Sequence, residues 1–294
     1  MTTDELDRWS SDFQDFHSRF GSFFARSEPR EASRRYLRGL LAPMQRKNCW
    51  QMAEAVGEQD PQPLQRLLYS ARWDEDEVRD ELQRFVVEQF GDEAGIGVVD
   101  ETGFLKKGSK SVGVKRQYTG TAGKVENSQV GVFLTYFAPG GRTFLDRRLY
   151  LPQEWSDDTA RRQKAGVPEE VVFETKPALA MRQIETALAA GYPRGVVLAD
   201  AAYGDETGWR EQLAGHGLTY AVGIRPGTTV WWGDHQPLSE PAPTGRRGGV
   251  LHQQSMAVGE TSGGFPLLAE VVEQGRGGGL AEGVGSAELG RQLG

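Results

Sequence analysis

The sequence predicts an α/β fold, a mixed sheet flanked by helices, preceded by an all-helical region and followed by a glycine-rich tail. Three observations carry this. Gly195-Val196-Val197-Leu198-Ala199-Asp200 is a short β-branched run that ends on a carboxylate, the pattern of a strand buried on both faces. Ile96-Gly97-Val98-Val99-Asp100 has the same grammar earlier in the chain. Between residues 6 and 90 the apolar positions instead recur at steps of three and four, the helical period. Aspartates at the carboxyl ends of two strands stand where open α/β sheets place their chemistry. If both reach one sheet edge they make a hard, anionic oxygen site, suited to Mg²⁺ or Mn²⁺.

The chain of 294 residues is long enough for one large or two modest domains with a hydrophobic core. A single cysteine, Cys49, excludes an internal disulfide and fits a reducing compartment. Thr3-Asp4-Glu5-Leu6-Asp7-Arg8 lacks the basic start and apolar core of a signal peptide, and no run approaches the roughly 20 apolar residues of a membrane helix. A cytoplasmic protein without a membrane partner is therefore expected. The net charge of -7 argues against a nucleic-acid partner only if the basic residues are dispersed.

Leu6, Trp9, Phe13, Phe16, Phe20, Phe23 and Phe24 form one helix face, which suits a core or an oligomer contact. Residues 30–41 make a second helix whose Arg30, Arg34, Arg35 and Arg38 suit either a solvated or a phosphate-contacting face. Residues 48–56 and 64–69, separated by Gly57 and Asp60-Pro61, read as helix, turn, helix, compatible with DNA reading and with any helical domain. Acids at 74–77 suit a helix start, and Val78, Leu82, Phe85, Val86 and Phe90 continue its apolar stripe to Gly91.

From about residue 94 the period becomes strand-like. Beyond Asp100, the stretch from Phe104 to Lys124 holds Lys106, Lys107, Lys110, Lys115, Arg116 and Lys124 without an acid. It reads as a basic loop: a place for a phosphodiester backbone, or an exposed lysine-rich segment. Residues 129–137 and 143–151 flank Pro139-Gly140-Gly141-Arg142, a hairpin signal. Residues 155–167 read as polar and irregular, 176–190 as a helix stopped by Gly191, 206–216 as another helix, and 220–224 as a buried strand. After about residue 245 the chain is glycine-dense, without lysine, aspartate, tyrosine or tryptophan, so disorder is expected. Its composition also fits a coding frame lost near Arg246.

Asp100-Glu101-Thr102-Gly103-Phe104, followed by Lys106-Lys107-Gly108 and Val114-Lys115-Arg116-Gln117-Tyr118-Thr119-Gly120, resembles the first catalytic block of bacterial insertion-sequence transposases of the DDE superfamily. Leu198-Ala199-Asp200-Ala201-Ala202-Tyr203-Gly204-Asp205 resembles the second, and the likeness extends from about residue 10 to residue 245. It implies a ribonuclease H-like fold whose first and fourth strands carry the aspartates. The domains expected are a helical DNA-binding region over 1–91, the catalytic domain over 94–245 and the tail over 246–294. The resemblance further implies a nucleoid-associated bacterial protein that acts in DNA transposition. Asp100 and Asp200 are then catalytic and metal-binding, in a two-metal Mg²⁺ or Mn²⁺ site. Lys106, Lys107, Lys110, Lys115 and Arg116 contact double-stranded DNA, both terminal repeats and target. A homo-oligomer is expected because two element ends must be held together.

The third carboxylate of that family is a glutamate on a helix after the fifth strand, here residues 220–224. No residue is assigned to it: Glu260, Glu270, Glu273, Glu282 and Glu288 match by letter alone. An alternative is therefore a truncated, non-catalytic DNA-binding remnant that regulates or competes with an intact transposase. Glu101 and Asp205 are expected beside the metal ligands or facing solvent, and Tyr203 and Trp209 to pack the site or stack on a base. Gly120 to Val125 lacks the spacing and hydroxyl of a phosphate loop, and the four histidines lack metal-ligand spacing.

Overall fold

The structure is a computed structural model and describes residues 2–226, residue 228, and the backbone of strands Gln253–Gly259 and Val271–Glu273. The chain divides into two compact units. One comprises Met1–Gly95, Phe133–Arg147 and Gln183–Pro193; the other comprises Ile96–Val132, Arg148–Arg182 and Arg194–Gly294.

The first unit is mainly helical. Helix α1 (Thr3–Ser18) opens with a capping box in which Thr2 and Glu5 satisfy each other's backbone N–H groups. It stops short of the expected residue 24, and a single 3-10 turn, Gly21–Phe23, follows. Phe16 packs edge-on against Phe20 and Phe85, whereas Leu6 and Trp9 stay exposed, so only part of the expected aromatic face is core. Helices α2 (Ser27–Leu41), α3 (Cys49–Ala55) and α4 (Gln62–Tyr69) pack around Met52, Ala53 and Leu64. Arg34 and Arg35 of the basic face are paired with Glu31, and Arg35 also with Glu58. Helix α5 (Glu75–Phe90) is capped by Asp74, which accepts from the N–H groups of Asp76 and Glu77. The hairpin residues 133–147 also belong here: Gln83 donates to the Leu145 carbonyl, and the buried Arg79 lies 3.6 Å from the buried Asp146. Their strand period alone places those residues with the sheet.

The second unit is built on a mixed sheet. The strands are β1 (Ile96–Leu105), β2 (Lys115–Thr119), β3 (Lys124–Ala138), β4 (Gly141–Leu149), β5 (Val196–Ala199), β6 (Thr219–Ile224), β7 (Gln253–Gly259) and β8 (Val271–Glu273), of which the end of β3 and most of β4, residues 133–147, are counted in the first unit. The order is β2-β3-β1-β5-β6-β7-β8, with β4 also paired to β3. β1, β5 and β6 are parallel neighbours, while β2 with β3 and β6 with β7 are antiparallel. Leaving out the β2 ribbon, β5 is the fourth strand in chain order and lies directly beside the first. The fold class is thus the mixed α/β sheet expected.

Three stretches depart from the sequence reading. Lys115–Thr119, expected within an irregular basic loop, is strand β2; it pairs with Lys124–Ser128 on β3, and an exposed ribbon needs no apolar alternation to be stable there. Residues 155–167 are not irregular. Helices α6 (Gln153–Asp157) and α7 (Thr159–Ala165) occupy them, with Asp158 capping α7 and the buried Trp155 indole donating to the Val114 carbonyl. In the tail, Gln253–Gly259 adds to β6 and Val271–Glu273 to β7, because an open strand edge offers a full row of backbone hydrogen bonds whatever the side chains. The rest of the expected disordered tail lies outside the described residues. Helix α8 (Lys176–Ala189) agrees with the expected span, and the chain after β5 forms a short turn of helix α9 (Ala201–Gly204) and then α10 (Thr207–Gly215).

Candidate active site

The parallel pair β1–β5 sets the site. Ile96 to Val99 are in register with Val196 to Ala199, so Asp100 and Asp200 follow one step beyond the partners Val99 and Ala199. Adjacent strands lie about 4.8 Å apart, and residues of equal parity share a face, which brings the two aspartates side by side on one face of the sheet. Both are exposed. Asp100 accepts from the Glu101 N–H (2.7 Å), and Asp200 caps α9 by accepting from the Ala202 N–H (2.9 Å). Asp200 is held above the ordinary carboxylate range, chiefly by partial burial and further by the negative charges of Glu101 and Asp100, against the opposing Ala202 hydrogen bond and Lys176.

The turn that carries Asp200 is tightly seated. A Cβ on Gly204 would meet the Gly223 carbonyl oxygen at 2.0 Å, so α9 lies directly on the β6 backbone. From the next position, Asp205 accepts from the Arg225 N–H (2.7 Å) and pairs with its guanidinium. Tyr203 is fully buried, packs with its ring tilted against Trp209 at 5.8 Å between centroids, and donates its hydroxyl to Glu101 (2.7 Å). Lys176 donates to the other Glu101 oxygen (2.5 Å). Burial and the Glu101 charge together push the Tyr203 phenol well above its ordinary range, so it stays a donor.

This places each expected residue. Asp100 and Asp200 are brought together. Glu101 stands beside them, as expected, but its oxygens are engaged by Lys176 and Tyr203; no spacing signals this, since the partners are 75 and 102 residues away. Asp205 fastens the β6 end, and Tyr203 and Trp209 pack the site. Lys106 follows the end of β1: its N–H donates to the Asn127 carbonyl, and Asn127 is the register partner of Arg116. Lys106 and Arg116 therefore flank Asn127 in one row, and the Asn127 amide donates to the carbonyls of Lys106 and Gly108. Lys107, Lys110 and Arg116 are exposed, and Lys115, also exposed, pairs with Glu154. At about 3.3 Å per residue the strand carries this row roughly 20 Å from Asp100.

The donor chemistry at Asp100 and Asp200 fits a hard divalent cation, since adjacent parallel strands bring two carboxylates side by side. Among the described residues, no group of three or more His, Cys, Asp or Glu is arranged to hold a metal. Glu260, Glu270, Glu282 and Glu288 lie outside the described residues, and Glu273 ends β8.

The mixed sheet presents Asp100 and Asp200 at the ends of adjacent parallel strands, with Lys106 just past the end of β1 and Lys115 and Arg116 on β2. Residues 15–262 match the family described as DDE superfamily endonuclease, and the chain belongs to that family. It is 33% identical over 189 residues to a "probable transposase for insertion sequence element IS701" of Microchaete diplosiphon, a match covering 64% of this chain and 47% of the relative. The chain thus spans about half the length of that curated relative. A solved structure, the Mos1 strand transfer complex, is 15% identical with a TM-score of 0.23, over 63% of this chain and 56% of that one. Among the described residues, no helix is long and apolar enough to cross a membrane.

Proposed function

We propose that the chain is an insertion-sequence transposase that cleaves phosphodiester bonds at the ends of its element and joins the freed ends to target DNA. The observation that carries this is the register of β1 with β5, which sets Asp100 beside Asp200 in a chain of the DDE endonuclease family. Asp100 and Asp200 would hold Mg²⁺ or Mn²⁺. When bound, such cations activate the attacking oxygen and stabilise the leaving one. In the first reaction water attacks phosphorus and the bond to the 3′ oxygen breaks, leaving a 3′-hydroxyl and a 5′-phosphate; in the second that hydroxyl attacks a target phosphodiester, forming a new P–O bond as the bond to the target's own 3′ oxygen breaks and that oxygen leaves as a hydroxyl. The residues of this chain supply placement. Lys106, Lys107, Lys110 and Arg116 grip phosphates along the duplex without reading its sequence, with Lys115 released to DNA from Glu154. Residues 1–91 bind the terminal repeats, and a homo-oligomer holds two ends together.

The test is a strand-transfer assay: a labelled duplex ending in the terminal repeat, a target plasmid, and the 294-residue chain with its Asp100→Asn and Asp200→Asn variants. Joined product from the unaltered chain alone is expected. Joining that persists in either variant removes the reading, and repeat binding without cleavage by the unaltered chain assigns it instead to a non-catalytic regulator.

A further inference from the structure

We propose that Glu101 is a positioning residue rather than a third metal-holding carboxylate: it latches the turn that carries Asp200 onto the end of the strand that carries Asp100. This rests on the reading of the two aspartates given above. Along β1 the side chains alternate, so Glu101 faces away from Asp100, to the side shared by the buried Val99. On that side it meets two elements. Its Oε2 accepts from the hydroxyl of Tyr203 in α9 at 2.7 Å, and its Oε1 accepts from the ammonium of Lys176, the first residue of α8, at 2.5 Å.

The consequence follows from what else holds α9. From below, Gly204 and Gly223 let the turn rest on β6: a Cβ on Gly223 would meet the Ala201 nitrogen at 2.8 Å, and one on Gly204 the Gly223 carbonyl at 2.0 Å. Those contacts fix α9 to β6, not to β1. Beyond the β1–β5 ladder, which ends at Val99 and Ala199, the Tyr203–Glu101 hydrogen bond crosses from the β1 end to the Asp200 turn. Tyr203 is fully buried, so its hydroxyl has no water to take Glu101's place, and Lys176 pairs with the remaining carboxylate oxygen. A part-buried, charge-assisted bond of this kind sets the separation of the two aspartates, as supporting hydrogen bonds around metal ligands do.

The experiment uses the full chain, Tyr203→Phe, Glu101→Ala, their double variant, and Asp100→Asn. Two readouts are taken: amide hydrogen exchange across residues 200–205 without metal, and Mn²⁺ affinity by titration. Tyr203→Phe removes one oxygen atom and leaves the buried ring. Exchange of the turn should quicken roughly tenfold in Tyr203→Phe and at least as much in Glu101→Ala, with the double variant no worse than Glu101→Ala alone. Mn²⁺ affinity should fall about tenfold in both single variants and much further in Asp100→Asn. Unchanged exchange in Tyr203→Phe overturns the latch. So does a loss of Mn²⁺ binding in Glu101→Ala equal to that in Asp100→Asn while Tyr203→Phe binds normally, since Glu101 would then be a ligand. If Asp100→Asn binds Mn²⁺ as the unaltered chain does, the metal reading of the aspartates fails, and the exchange data still decide the latch.

Discussion

Asp100 and Asp200 come from opposite halves of the chain, yet each is the residue immediately after a register pair, Val99 with Ala199, on neighbouring parallel strands. Neither strand needs a special conformation to deliver its carboxylate. Parallel pairing alone sets the two Cα atoms about 4.8 Å apart. Partial burial, and after it the charges of Glu101 and Asp100, hold the Asp200 carboxyl above the ordinary carboxylate range.

The row formed by Lys106 and Arg116 about Asn127 should act through phosphates. Replacing Lys106, Lys107 and Lys110 together by alanine should weaken binding to all duplexes alike. It should also reduce the slope of log K against log salt by about 0.9 for each phosphate no longer neutralised, up to roughly 2.7 if each lysine holds one. Fluorescence anisotropy across a salt series checks this. An unchanged slope would remove those lysines from the DNA surface.

Gly204→Ala should be among the most damaging single-methyl changes in the second unit. The added carbon meets backbone, the Gly223 carbonyl oxygen at 2.0 Å, and backbone on a paired strand cannot swing aside. Overpacking of this sort costs about 1–3 kcal/mol, and the displaced element carries Asp200. Chemical denaturation should show the loss. Gly208→Ala, whose added methyl would stand in open space, is the control and should be near neutral.

His17 gives the first unit a pH dependence. Its imidazole is buried against the Ser33 hydroxyl at 2.8 Å, and burial, with the Arg34 charge, lowers its pKa below the ordinary 6.5. The unfolded chain therefore takes up a proton that the folded chain refuses. Stability is full above about pH 6.5 and falls as pH drops from there toward the lowered value. Denaturation midpoints at about pH 7.5 and 5.5 should separate for the unaltered chain and converge in His17→Gln, which cannot titrate.

What can be read from the sequence follows from how local each signal is. The two apolar runs ending on aspartate, the helix over 176–190 and the Pro139 to Arg142 turn are written in adjacent residues, and each stands where it is expected. Strand β2 is not legible there because Lys115-Arg116-Gln117-Tyr118-Thr119 has no apolar face; its strand character comes from β3. Helices α6 and α7 are hidden for another reason: Trp155 is fixed by the Val114 carbonyl, an acceptor 41 residues away. Adjacency puts Glu101 next to Asp100, but its partners Lys176 and Tyr203 meet it only through the fold.

The most direct measurement is cleavage of a labelled duplex carrying the element's end, with Mg²⁺ or Mn²⁺, by the full chain beside Asp100→Asn. The account predicts metal-dependent nicking at the repeat boundary by the unaltered chain and none by the variant, with both binding the duplex and melting alike. Equal nicking by both proteins, or nicking that persists when the cation is chelated, would contradict it.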